Sequence, residues 1–492
     1  MVPGLSSIFD RQKFKHFFIF RVLLLGLLVL PIGCGKYDPS AVTAAPSPIP
    51  ASPACYVGTF TGLAGGHADR VNAIAVDAGG NIYVAGSTFD SANHRYAFLS
   101  RYTGAGILDA SFNAPNGFVT SAPSGFSGGS FDSFNSLKID GAGKLLLAGS
   151  SADSSGRLRS LIARYLSTGA LDTAAFNAPS GYLTGAPSGY GGGGKDDVTS
   201  LAIDPGTTTI YTGGNTKNLG GTQSIFINSF TNGGVINSAG FGAPSGYVVG
   251  APSGFAGGSF DSLNALAWDP GSNKLVAAGN SNNGGGSYLT LAARYTSAGA
   301  LDTPGFNAPS GYHLGPLAGF GTGQFDQFNA AVILPGSKIL AAGFSRNALN
   351  GNQTLLVQLT SAGVLDTAAF NSPQGFLLGP SAGFAGGGSD FFSALALDIG
   401  GNYVATGSSA DNAGFRGLVT RYLPSGAADV SLNASGSLVS ALNTCVNTDR
   451  NSLNSVYVDS ANRLVVGGSV FHNSAYQQSL LVRFQSSGVR DF

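Results

Sequence analysis

Glutamate is missing from this 492-residue chain, whose 25 acidic residues are all aspartate. Glu favours helix interiors, whereas Asp and Asn bond their own backbone at corners, so the absence argues for an all-β chain rich in tight turns. Charge of either sign is scarce: charged residues make up 10% of the chain, and 25 Lys and Arg leave a formal net charge of zero. Phosphate backbones are held by clustered Lys and Arg, and without that surplus no nucleic-acid partner is expected. Calcium loops of the EF-hand kind need alternating carboxylates before a Gly, and no such run occurs. Histidine is equally sparse; beyond the N-terminal stretch it occurs at His67, His94, His313 and His472. These stand at different registers of the repeat described next, so neither the convergence that zinc requires nor any other cofactor is expected. An all-β chain also offers no strand-to-helix turn for a serine nucleophile elbow.

What the chain has instead is glycine, 75 residues of it, and a repeat. Gly86, Gly149, Gly214, Gly279, Gly343, Gly407 and Gly468 each close an apolar run, at spacings of 61 to 65 residues. A period of this length holds about four short strands, the size of a propeller blade and not of a solenoid coil. In the unit beginning at Phe131, Leu137 and Ile139 alternate with Ser136 and Lys138, the chain turns at Asp140-Gly141-Ala142-Gly143, and residues 144–149 form a second strand. A third strand runs through Leu161-Ile162-Ala163-Arg164-Tyr165. The segment Phe176-Asn177-Ala178-Pro179-Ser180-Gly181-Tyr182, rich in turn formers, leads into a short fourth. Arg101, Arg164, Arg294, Arg421 and Arg483 recur at one place, which reads as a scaffold bridge to a carboxylate or carbonyl of the same unit.

The two ends of the chain complement each other. The last unit stops at Phe492 without its fourth segment, while Cys55 lies fourteen residues before Asp69, as Tyr182 lies fourteen before Asp196. Tyr56 to Phe60 then supply the missing strand, the exchange by which a propeller closes without an exposed edge. The expected architecture is an all-β, seven-bladed β-propeller closed by an N-terminal strand completing the last blade. The recurring Asp-x-x-Gly corner, apolar run, Ala-Gly, Arg-Tyr and Gly-x-Leu-Asp-x-x-Phe resemble the delta-60 repeat, a β-propeller family of bacterial surface proteins. The resemblance spans residues 56–492 and implies a propeller without a shared catalytic set. The units here are longer, through a doubled Ala-Pro-Ser-Gly segment, and the third copy has Ser229-Phe230 in place of Arg-Tyr.

Upstream, Arg11, Lys13, Lys15 and Arg21 precede an apolar run at residues 22–30, the order of a bacterial export signal and short for a membrane span. Leu30-Pro31-Ile32-Gly33-Cys34 resembles a lipobox, with Pro31 where that motif usually has Leu. The resemblance implies cleavage after Gly33 and lipidation of Cys34. Gly35 follows, and not the Asp that resembles an inner-membrane retention signal, so the outer membrane or cell surface is expected. The chain thus divides into a signal peptide at 1–33, a lipidated Cys with a Pro/Ala/Ser-rich tether at 34–54, and the repeats at 55–492. Cys55 and Cys445 lie at opposite ends of the repeats; in a ring they are neighbours, either joined by a disulfide or left as two buried thiols.

The most regular polar feature is a carboxylate before each first strand: Asp69, Asp132, Asp196, Asp261, Asp326 and Asp390, with Asn451 in the last copy. Facing the axis, these would form an anionic rim for cations. Bonding nearby backbone, they would start the strands through Asx-type turns, often with an Asn three residues on. Folding requires repetition around a ring, whereas function leaves single-copy departures. Lys195-Asp196-Asp197, His313 and residues 447–451 are therefore where an asymmetric site would lie. No catalytic set is assigned. The leading expectation is a non-enzymatic envelope scaffold whose loops bind protein or polysaccharide. The alternative is a propeller enzyme resembling sugar or quinone dehydrogenases and lactonases, with its site at the central channel.

Overall fold

In the computed structural model, the glycine that marks each repeat stands opposite a β-bulge. The structure describes residues 56–57 and 63–491, apart from 66–67, 123, 187–188, 252, 412–413, 440–449 and 473–475. The leader, Cys34, the tether, Cys55 and Cys445 lie outside the described residues. Within them the only helical turn is Gly242–Gly246; everything else regular is strand.

One unit shows the plan. Strands Gly128–Ile139, Leu145–Asp153, Leu158–Tyr165 and Tyr182–Thr184 pair antiparallel in chain order. The second strand is buried on both faces: Leu145 and Leu147 point into one hydrophobic cluster, Leu146 and Ala148 into the next. A strand covered on both sides reads as an unbroken apolar run, which is why the run before each Gly does not alternate. The first strand carries one extra residue, since Phe134 faces Gly149 while Ser136 faces Ala148, leaving Asn135 unpaired. The same slip leaves Asn72, Thr199, Asn264, Asn329, Ser393 and Asn454 unpaired in the other copies. The bulge pushes the preceding carbonyl against the opposite strand. A Cβ on Gly149 would stand 1.9 Å from the Ser133 carbonyl oxygen, and at Gly86 and Gly279 the corresponding gap is 1.8 Å. Only a residue without Cβ fits, and the repeat's most regular residue follows from that contact.

These meanders form three four-stranded sheets and two of eight, each of the latter being two meanders joined by a single parallel pair, Arg95 with Phe131 or Tyr288 with Phe325. The last sheet, with strands Arg450–Val458, Leu464–His472 and Tyr476–Phe484, takes its fourth strand from the beginning of the repeats: Tyr56 pairs with Leu481 and Val57 with Leu480. Every core cluster lies between two successive units, so that Phe134 and Leu137 pack on Ala73, Tyr83 and Leu99 of the unit before. Val71, Ile74 and Val84 of the first unit pack likewise on Val465 and Leu481 of the last. Ile74 N–H also donates to Ser455 Oγ at 3.0 Å. Each fully buried Phe of this kind contributes about 1.5–3 kcal/mol.

Candidate functional site

The bulge re-aims one polar side chain per unit, and these side chains meet. Asn72 Nδ2 donates to the Phe134 carbonyl at 2.9 Å, Asn135 to Val198 at 2.7 Å, Thr199 Oγ1 to Leu263 at 2.7 Å, and Asn264 to Phe328 at 2.7 Å. Asn329 continues the series to Phe392 at 2.6 Å, and Asn454 donates to Val71 of the first unit at 2.9 Å. Each bond runs from one unit to the next, and the side chains line a cavity of about 510 Å³ together with Arg70, Gln327, Phe344, Asn352, Phe391 and Ser393. That volume is in the range of small-molecule sites.

The residue preceding the bulge by two breaks the repetition: Arg70, Ser133, Asp197, Ser262, Gln327, Phe391 and Ser452 occupy the equivalent place. Phe344 likewise replaces a small polar residue after the repeat glycine. Beside them, Arg95 donates to Ser133 Oγ at 3.1 Å and lies 4.5 Å from the Phe131 ring centroid, with its Nε buried and unpartnered. Burial, and secondarily the charge of Arg70, lower its pKa to about 10. Arg346 is held 4.9 Å from the Phe325 ring, and Phe325 stacks on Phe344 at 5.6 Å. Asn352 Oδ1 is buried without a donor. Asp197 accepts from Ser150 Oγ at 2.6 Å. This asymmetric set was not singled out from the sequence, apart from Asp197. Superposing the copies on their Asp and reading the following residue would have exposed it.

At the other end of the first strands a larger cavity of about 1550 Å³ is lined by Lys138, Ile139, Ile203, Trp268 and Ile333. Lys138 is solvent-accessible but enclosed by protein, which lowers its pKa. Trp268 stacks on Tyr211 at 5.3 Å.

The structure places the six aspartates of the sequence pattern at 0–1% exposure. Asp69, Asp132, Asp196, Asp261, Asp326 and Asp390 accept backbone N–H bonds from the residue six positions upstream, at 2.8 to 3.5 Å. These bonds tie down the loop that enters each unit, and are not the forward Asx turns expected of strand starts. Hydroxyls add to them, from Thr216 to Asp196 at 2.7 Å and from Ser281 to Asp261 at 2.5 Å. Burial raises all six carboxyls above the usual range, Asp261 to about 6, against the opposing pull of these bonds. Asn451, in the last copy, accepts from the Gly417 N–H. Lys195 is exposed at the start of its strand. His94 is exposed beside Asp90 at 3.0 Å, while His313 sits on the outermost strand Tyr312–Leu314, its pKa lowered by burial. Neither lines the amide cavity, and among the described residues no three His, Cys or Asp gather in a metal-holding group.

The recurring arginines do bridge within their units: Arg101 to Asp109 at 2.8 Å, Arg164 to Asp172 at 2.8 Å, Arg294 to Asp302 at 2.7 Å and Arg421 to Asp429 at 2.6 Å. Their second function lies across the seam. Arg164 Nη1 donates to the Asn232 carbonyl at 2.5 Å, Arg294 to Ser361 at 2.6 Å, and Arg483, from the last unit, to Gly104 of the first.

The family model described as a domain of unknown function (DUF5122), beta-propeller, matches residues 143–174 and 271–303. No curated protein matches. Among solved structures, Sqt1 from Chaetomium thermophilum is similar over 85% of this chain and 82% of its own, at 14% identity and a TM-score of 0.41. The same protein bound to the N-terminus of the ribosomal protein L10 aligns over 86% of both chains, at 13% identity and a TM-score of 0.41. The repeated antiparallel sheets, the near-absence of helix among the described residues and the family match together make this an all-β chain of β-propeller type.

Proposed function

We propose that the repeats form one closed seven-bladed β-propeller and that it serves as a non-enzymatic binding scaffold, tethered to a bacterial envelope through lipidated Cys34. The pairing of Tyr56 with Leu481 and the bond from Asn454 to Val71 support closure, since each joins the end of the repeats to their beginning. The amide cavity is then one mouth of the axial channel, and the Lys138 cavity the other.

One observation carries the functional reading: repeated polar residues are spent on the fold, and the single-copy departures Arg70, Gln327, Phe344 and Phe391 collect around one cavity. The aspartates are committed to loop backbone and the repeated arginines to seams, so neither series is available to a ligand. A polysaccharide or a protein segment entering the mouth would meet amides, aromatic faces and one open guanidinium. The test is a screen of the full chain, in detergent, against glycans and envelope proteins. Saturable binding that is lost in Gln327→Ala and Phe391→Ala supports the reading; binding indifferent to both changes, or none, rejects it.

A further inference from the structure

Arg70 is the cation of the amide cavity, and among the described residues it has neither a carboxylate nor a hydrogen-bond partner. Strand register explains its company. Arg70 pairs with Ser87 and Ser87 with Ala97, so the three side chains leave the sheet on one face, and Arg95, two residues from Ala97, leaves it on the same face. Two guanidinium groups therefore share one face of the sheet, and Arg95 feels both Arg70 and one carboxylate, Asp197, which also accepts from Ser150. Elsewhere in the molecule the repeated arginines are each neutralised by an Asp at 2.6 to 2.8 Å. One carboxylate beside two cations leaves a positive surplus, Arg70 is exposed and free to meet an anion, and the planar fork of Arg suits a carboxylate.

The opposite wall has different chemistry. Gln327 and Asn352 line it with amides, and Phe344 and Phe391 with aromatic rings. Amides both donate and accept, as hydroxyls do, and ring faces accept the apolar side of a flat or puckered ring. We propose that this cavity binds a carboxylated saccharide, its carboxylate on Arg70 in the field of Arg95, its hydroxyls on Gln327 and Asn352, and a ring against Phe344 or Phe391. The assignment rests on the binding-scaffold reading and specifies its ligand class.

Titration of the full chain in detergent tests it, with oligogalacturonate, its neutral galactose counterpart and a peptide bearing a free C-terminal carboxylate as probes. The acidic sugar is expected to bind, more weakly as salt rises, and to lose affinity by about 10- to 100-fold in Arg70→Gln, the worth of hydrogen bonds to a charged group. Arg95→Gln should cost less, and the exposed Lys195→Gln nothing. Because Arg70 makes no bond, its variant keeps the fold, which thermal unfolding verifies, and it decides the matter if Arg95→Gln does not fold. Equal binding of acidic and neutral sugars, or an Arg70→Gln variant that binds like the parent, overturns the carboxylate assignment and leaves the scaffold standing. Binding of the peptide alone overturns the saccharide. Failure of every probe overturns this assignment, while the wider glycan and protein screen still decides the scaffold reading.

Discussion

Replacing Gly149 by alanine tests the link between the repeat and the bulge. The added Cβ would lie 1.9 Å from the Ser133 carbonyl oxygen, 2.9 Å from its carbon and 3.0 Å from Phe134 Cα. All three are backbone atoms, so no side chain can swing aside, and the strand pair must open by more than about 1 Å to reach ordinary contact. Opening it strains the core around Phe134, about 1–3 kcal/mol for overpacking, and breaks the bond from Asn135 to Val198, about 1 kcal/mol more. A loss of about 3 kcal/mol is a large share of the roughly 5–15 kcal/mol that holds a domain folded. Gly141→Ala is the control: nothing lies within 4 Å of its added Cβ, and it should stay within about 0.5 kcal/mol of the parent. Urea unfolding followed by the fluorescence of the single tryptophan, Trp268, stacked on a neighbouring unit, reads both variants. Equal midpoints for Gly149→Ala and Gly141→Ala would refute the steric argument.

Other outcomes follow from the same geometry. Arg294→Gln leaves Asp302 paired with Lys274 alone, at 2.6 Å, and cuts the bond to Ser361, and should destabilise by about 1.5–3 kcal/mol in the same urea assay, the worth of hydrogen bonds to a charged group; a change below about 0.5 kcal/mol would show the seam to be ornamental. Burial pushes Asp302 up, but Lys274 and Arg294 outweigh it and hold its pKa below the usual range, so its stabilisation is present above about pH 3.9 and disappears as pH falls through the depressed value. Asp261 behaves oppositely. With its folded pKa raised to about 6, its contribution is full below about pH 3.9 and is lost as pH rises through 6, so Asp261→Asn should gain up to about 3 kcal/mol relative to the parent between pH 4 and 7. A pH-independent difference between the two proteins contradicts that assignment. Mass spectrometry of the membrane-extracted protein should find residues 1–33 removed and a diacylglyceryl adduct on Cys34; an unmodified Cys34 contradicts the lipoprotein reading.

The architecture was legible because Gly86 and its equivalents are dictated by backbone contacts, which every copy must satisfy. The reason for them was not, since a bulge is a matter of register and leaves no composition of its own. The Asn series illustrates the difference. In the sequence, Asn72, Asn135, Asn264 and Asn329 look like partners of a local turn, and only the bulge shows that they reach the next unit. The aspartates bond upstream instead of downstream for the same reason, because the loop they hold folds back over the strand start. Arg164 and its equivalents were readable as ion pairs within a unit, whereas their reach across the seam depends on how neighbouring sheets stack. The candidate site was the least visible part. Arg70, Gln327 and Phe391 are far apart in the chain and unlike in type, and their common register shows in the sequence only once the copies are superposed on the preceding Asp; that they meet at one cavity depends on the fold.

The central claim is circular closure, and an experimental density map of the purified protein tests it most directly. The account predicts seven four-stranded sheets around one open channel, with Tyr56 in register with Leu481. An open arc, six or eight sheets, or Tyr56 lying away from the last unit would contradict it.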